Sequence, residues 1–145
     1  MRSYELIQLT IRDKVIMVKC DTIEDKLQRF HTAFQHDVDQ PYRKPDHVVD
    51  KLKTLRVTLI EEEYKELLHA IENEQSDAVL KELCDLVYVC VGFAVTYGWD
   101  FNSAFNRVHQ SNMSKLDGEG NPVFREDGKV IKSDNYKPPN LKDCV

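Results

Sequence analysis

The sequence predicts a mainly α-helical fold, a bundle of four to five helices completed by oligomerisation. Three observations predict it. Apolar residues recur at three- and four-residue spacing through four segments between residues 21 and 116. Those segments are bounded by capping residues and by Gly or Pro stops. The third is apolar on nearly every side, more than one small bundle can cover by itself. A small N-terminal β element and a C-terminal β-hairpin strap complete the expectation.

The chain has 145 residues, 41% of them hydrophobic, enough to build a core without staples. A single domain over 1–145 is expected, with an extension over 1–20, a helical core over 21–116 and a hairpin with an extended tail over 117–145. The net charge of -5 argues against a surface for nucleic-acid polymers. A nucleotide substrate stays open, because a metal ion can bring positive charge. Cys20, Cys84, Cys90 and Cys144 form no C-x-x-C pair, and Cys84 and Cys90 lie in an apolar run where they are expected to pack as small hydrophobes. This usage suits a reducing, cytoplasmic compartment. No leader pattern opens the chain, and the run Leu86 to Val95 is too short to span a membrane.

Leu6 to Ile11 and Val15 to Val18 are rich in β-branched residues, with Arg12-Asp13-Lys14 between them as a hairpin turn. Asp21-Thr22 caps a first helix carrying Leu27, Phe30, His31 and Phe34. His31, Phe34 and Gln35 can line a base pocket; the plainer reading puts Phe34 in the core and His31 at its boundary. Asp39 to Pro45 is a loop. Pro45-Asp46 opens a second helix that runs to about Asn73, with Asp46 as cap. At ~100° per residue, Val48, Leu52, Leu55 and Leu59 form a stripe that Glu62, Glu63 and Glu66 continue toward the interior. Glu61 falls off that arc. Ser76 or Asp77 caps a third helix through about Tyr97, and Gly98 stops it. Asp100 caps a fourth helix through about Ser114. In the tail, Val123 to Glu126 and Lys129 to Lys132 flank Asp127-Gly128, the pattern of a tight hairpin with a type I′ turn.

The carboxylates carry the chemistry. Glu63 and Glu66 are three apart, as are Glu82 and Asp85, so each pair projects from one helix face. Two such helices, packed antiparallel through a short loop, bring four carboxylates to one volume. Like charges there raise one another's pKa unless a cation is present. An all-oxygen donor set suits Mg²⁺ or Mn²⁺ and not zinc. Mg²⁺ shares its shell with waters and substrate phosphates, which points to a polyphosphate ligand. Glu62, ~40° from Glu66 on the helix, is placed to orient or deprotonate a water. An ExxE pattern alone is usually a solvated face; here both patterns interrupt apolar stripes. A carboxylate-bridged di-iron bundle would want Glu-x-x-His on two helices; Glu66-x-x-His69 offers it on the second, and the third helix holds no His.

Leu59-x-x-Glu62-Glu63-x-x-Glu66-Leu67, followed by Glu82-x-x-Asp85-Leu86, resembles the signature of the all-α nucleoside triphosphate pyrophosphohydrolases. These are the MazG-like and phosphoribosyl-ATP pyrophosphohydrolase-like enzymes, related to dimeric dUTPases and dCTP pyrophosphatases. Phe30-His31-x-x-Phe34, Arg56-x-x-Leu59-Ile60, His109 to Lys115, Asp127-Gly128-Lys129-Val130-x-Lys132 and Tyr136-x-Pro138-Pro139 resemble one branch of that group. The resemblance covers roughly residues 25 to 141, and the first twenty residues fall outside it.

The resemblance implies a MazG-like bundle that hydrolyses a (deoxy)nucleoside triphosphate to the monophosphate and pyrophosphate with Mg²⁺ or Mn²⁺, as nucleotide-pool cleansing. It implies Glu63, Glu66, Glu82 and Asp85 as metal ligands and Glu62 as base or additional ligand. Asn112 and Lys115 would face the nucleotide, with Lys132 and Tyr136 as phosphate or sugar contacts. The tail otherwise serves as a strap over an apolar face. A homodimer or homotetramer is implied. The alternatives are a non-catalytic nucleotide- or metal-binding member of the same fold, and a phosphoribosyl-ATP pyrophosphohydrolase.

Overall fold

The computed structural model describes residues 6–11, 14–19, 21–42 and 50–145, with side chains described from residue 21 onward. The turn expected at Arg12-Asp13 and the helix start expected at Pro45-Asp46 lie outside the described residues. The chain forms two compact units, Met1–Trp99 and Asp100–Val145.

In the first unit, β1 (Leu6–Ile11) and β2 (Lys14–Lys19) pair antiparallel, with Leu6 opposite Lys19 and Ile11 opposite Lys14. Three helices follow: α1 (Ile23–Ala33), α2 (Lys51–Asn73) and α3 (Ser76–Thr96). The mainly α expectation holds. Thr22 starts α1 through a capping box: its Oγ1 accepts from Asp25 N–H at 3.1 Å, and its own N–H donates to Asp25 Oδ2 at 3.0 Å. Asp50 caps α2, its Oδ1 accepting from the N–H groups of Leu52 and Lys53. Gln75, not Ser76 or Asp77, holds the cap position of α3 and makes no side-chain cap bond. The two-residue link Glu74-Gln75 turns the chain so abruptly that α2 and α3 pack against each other as a helical hairpin. α1 packs on α3. Gly98, at φ +70°, ends the α3 run as expected, and a side chain there would meet Asp39 Oδ1 at 2.8 Å.

The core of this unit lies at the C-terminal end of α3: Leu27, Val91, Ala94, Val95, Thr96 and Tyr97 are buried. The segment after α1 is laced onto that end, with Gln40 N–H donating to Thr96 O at 2.8 Å. Two positions at the end of α1 exchange the roles expected of them. Phe34 is 64% exposed and His31 is 1% exposed. His31 tolerates burial because its Nδ1 lies 3.1 Å from Asp37 O, a partner supplied by the turn that follows the helix. Cys84 and Cys90 are free and exposed, contrary to the core packing expected of them. They face outward with Leu80, Leu83 and Val87, which are also exposed.

The second unit holds α4 (Phe101–Met113) and the tail. Asp100 caps α4 twice, accepting from Ser103 N–H at 3.0 Å and from its hydroxyl at 2.8 Å. The tail returns along α4 as a strap held by polar bonds. Ser111 donates to Lys137 O at 2.7 Å, and Lys137 N–H donates to Ser114 Oγ at 2.8 Å. Arg107 donates to Asn140 O at 2.8 Å and forks onto the Asp143 carboxylate. The hairpin forms with a single bridge, Phe124 to Val130. Its turn is not type I′, which would need φ above zero at both Asp127 and Gly128. Only Gly128 has it, at +80°. Gly128 N–H donates to Arg125 O, and Arg125 N–H donates to Lys129 O, so the loop is a three-residue turn with glycine in the left-handed position.

Candidate functional site

The acidic residues sit where α2 and α3 face each other. Carboxylate oxygens from Glu63, Glu66 and Glu82 all lie within 4.8 Å of one another. Helical periodicity explains the first two, one turn apart on α2. Glu82 joins them because the short link brings the first turns of α3 against the last turns of α2. Glu63 and Glu82 are half-buried and Glu66 is exposed.

Asp85 stands outside that group of three. Its Oδ2 lies 2.9 Å from Lys81 Nζ, which also lies 2.9 Å from Glu82 Oε1. Lys81 was not singled out from the sequence. The signal that finds it is its position four residues before Asp85 on one helix. Its two carboxylate partners raise the Lys81 ammonium above its ordinary value through hydrogen bonds and charge.

Electrostatics at the cluster are those of crowded carboxylates. Partial burial raises the Glu63 pKa first, and the charges of Glu66, Asp85 and Glu82 raise it further, with Lys81 opposing them. Glu82 Oε2 is buried and accepts no hydrogen bond from the protein. A buried carboxylate oxygen without a donor is costly unless a cation meets it. The orphaned oxygen, the close grouping and the all-oxygen donor set fit a hard divalent ion such as Mg²⁺ or Mn²⁺.

Glu62 and Glu61 are both exposed. The expectation that Glu62, Glu63 and Glu66 all point inward is met only in part: Glu63 is sheltered, while Glu62 and Glu66 reach solvent. The reason lies in the hairpin: among the described residues α3 is the helix packed along α2, and Glu62 and Glu66 reach past that seam to solvent. Leu55, Tyr64, Leu68 and Ile71 on α2 are exposed too.

An aromatic cluster stands on α1. Phe30 packs against Phe34, His36 and Tyr88 with centroids 4.5, 5.6 and 5.3 Å away. Deeper lies Arg56, 5% exposed, with its Nε buried and unpartnered. Burial lowers the pKa of Arg56 and of His31, and the Arg56 charge lowers His31 further.

In the second unit, Asn112 is exposed at the end of α4 and Lys115 is half-buried just beyond it. Lys132 Nζ lies 4.1 Å from the Tyr136 ring centroid. The Ser111 side chain, then the charges of Lys132 and Lys115, lower the Tyr136 phenol below its ordinary value. Tyr136, Lys132 and Lys115 therefore share one electrostatic neighbourhood within this unit. A groove of about 400 Å³ beside them is lined by Arg107, Gln110, Ser111, Ser114 and the strap from Lys137 to Asn140.

Among the described residues, no helix is long and apolar enough to cross a membrane. The family model described as phosphoribosyl-ATP pyrophosphohydrolase matches residues 27–112, a span that includes all five acidic positions. No curated protein matches the chain.

Proposed function

The chain belongs to the phosphoribosyl-ATP pyrophosphohydrolase family, within the MazG-like all-α superfamily, and on that premise we propose that it hydrolyses a (deoxy)nucleoside triphosphate to the monophosphate and pyrophosphate. It is a hydrolase of phosphoric anhydrides. The observation that carries the finer reading is the meeting of Glu63, Glu66 and Glu82 oxygens within 4.8 Å, inside the matched span.

Glu63, Glu66, Glu82 and Asp85 would hold Mg²⁺ or Mn²⁺. When bound, such an ion neutralises the polyphosphate and supports the departing oxygen. Glu62 keeps its carboxylate in water and clear of the three-oxygen cluster. It is the residue proposed to take a proton from the attacking water as the bond to the α-phosphorus forms and pyrophosphate leaves. Asn112, Lys115, Lys132 and Tyr136 are proposed nucleotide contacts, supported by the shared charge neighbourhood of the last three. Free thiols at Cys84, Cys90 and Cys144 suit a reducing cytoplasm, where the same reading has the enzyme cleanse the nucleotide pool.

A homodimer or homotetramer is part of the same reading. Tyr64, Leu68 and Ile71 on α2 and Leu80, Leu83 and Val87 on α3 are all exposed, at helical spacing. So much unshared apolar surface on one hairpin suits a second copy.

Purified protein incubated with Mg²⁺ and a panel of nucleoside triphosphates should release monophosphate and pyrophosphate. Release of diphosphate with orthophosphate, or no turnover, overturns the reaction. Phosphoribosyl-ATP belongs in the panel, because the matching family model carries that name. Turnover of it alone would favour that substrate. Binding of nucleotide without hydrolysis would favour a non-catalytic member.

A further inference from the structure

We propose that Lys81 is a built-in counter-cation: it holds Glu82 and Asp85 while the acidic site is without a divalent ion, and it is displaced from them when one binds. The proposal rests on the reading of Glu63, Glu66, Glu82 and Asp85 as metal ligands.

The geometry is not that of an ordinary helix-surface pair. Lys81 and Asp85 are four apart and face each other. Lys81 and Glu82 are neighbours in sequence, whose side chains leave the helix ~100° apart. Yet one ammonium stands 2.9 Å from Glu82 Oε1 and 2.9 Å from Asp85 Oδ2. It therefore bridges the two α3 carboxylates that the metal reading needs. Asp85, the proposed ligand that stands outside the three-oxygen cluster, is tied through Lys81 to Glu82, which belongs to it.

The charge of Lys81 also reaches α2, where it opposes the crowding of Glu63 by its acidic neighbours. One mobile cation thus offsets repulsion across both helices. Its side chain is 62% exposed, so it can swing into water without repacking the core. A divalent ion would outcompete it by charge and by taking several oxygens at once. Lys81 therefore lowers ion affinity while offsetting the repulsion among the acidic side chains.

Lys81→Met keeps the stem and removes the charge; Lys81→Arg keeps the charge. Mg²⁺ affinity is read by calorimetric titration, and unfolding temperature in EDTA and in excess Mg²⁺. Lys81→Met should bind Mg²⁺ roughly two- to fivefold more tightly than wild type, the scale of an exposed pair. It should unfold earlier in EDTA, with a wider gap between EDTA and Mg²⁺, and Lys81→Arg should stay near wild type. Unchanged Mg²⁺ affinity in Lys81→Met would make the pair ordinary surface chemistry and overturn the proposal. Weaker affinity would overturn it too, as Lys81 would then be positioning ligands for the ion. Wild-type protein that takes up neither Mg²⁺ nor Mn²⁺ overturns the metal reading itself, a result visible before any variant is made.

Discussion

Gly92 and His31 face each other across the α1–α3 contact so closely that a Cβ on Gly92 would stand 3.1 Å from His31 Nε2. Glycine inside a helix costs about 1 kcal/mol relative to alanine, so Gly92→Ala would ordinarily stabilise α3. Here the ring has no room to yield, being fully buried with its other nitrogen on Asp37 O. Overpacking of this kind costs about 1–3 kcal/mol. Gly92→Ala should therefore destabilise by a net of about 1 kcal/mol in urea unfolding; a stabilised variant would show that the ring gives way.

His31 also sets a pH dependence. Burial, then the Arg56 charge, lowers its pKa below the ordinary 6.5, with its Asp37 carbonyl contact partly opposing. The folded state thus resists a proton that the unfolded chain accepts. Stability is full above about pH 6.5 and falls as pH drops below that value. Thermal melts between pH 8 and pH 5 should show this slope in wild type and a shallower one in His31→Gln. Equal slopes would assign the effect elsewhere.

Glu63→Gln should abolish pyrophosphohydrolysis while the protein stays folded. In chelator it should be slightly more stable than wild type, because Glu63 carries a partly buried charge among Glu66, Asp85 and Glu82. Relief of its like-charge neighbour Glu66, three residues on along the same helix, contributes about 0.3 kcal/mol. Full activity in this variant would contradict the ligand assignment.

Glu62→Gln tests a different role at the adjacent position. Loss of a general base lowers turnover by about 10²- to 10⁴-fold. Calorimetric Mg²⁺ affinity should remain, since Glu62 stands clear of the three-oxygen cluster. Coupled loss of Mg²⁺ binding would make Glu62 a ligand.

Leu83 is 46% exposed on α3, at the centre of the apolar stripe. If a second copy covers that stripe, wild type should elute well above the 16.9 kDa of one chain. Leu83→Lys should shift it toward the monomer, and the thermal midpoint should fall with dilution in wild type but not in the variant. A wild-type monomer on the sizing column would remove the basis of this assignment.

Much of the fold was legible in the sequence because the forces that start and stop helices act over a few residues. Thr22 and Asp100 cap where their side chains meet backbone N–H groups three positions on. Gly98 stops α3 because its backbone takes φ +70°. The spacing of Glu63, Glu66 and Glu82 was readable for the same reason, as period and link length are local. The type I′ turn was misread because Asp127-Gly128 suits two turns, and pairing across the bridge selects between them.

What the sequence by itself determined is therefore the set of helices and the acidic face of the α2–α3 hairpin. Only the tertiary structure decided which side chains that face brings together. It buried His31 and left Phe34 in solvent, because a partner carbonyl six residues on satisfies the imidazole. It grouped three carboxylates and gave the fourth to Lys81, because one flexible ammonium reached both α3 oxygens at 2.9 Å. The meeting of Glu63 and Glu66 with Glu82, and the burial of His31 against Gly92, depend on neighbours from another helix, and no single segment of the chain contains them.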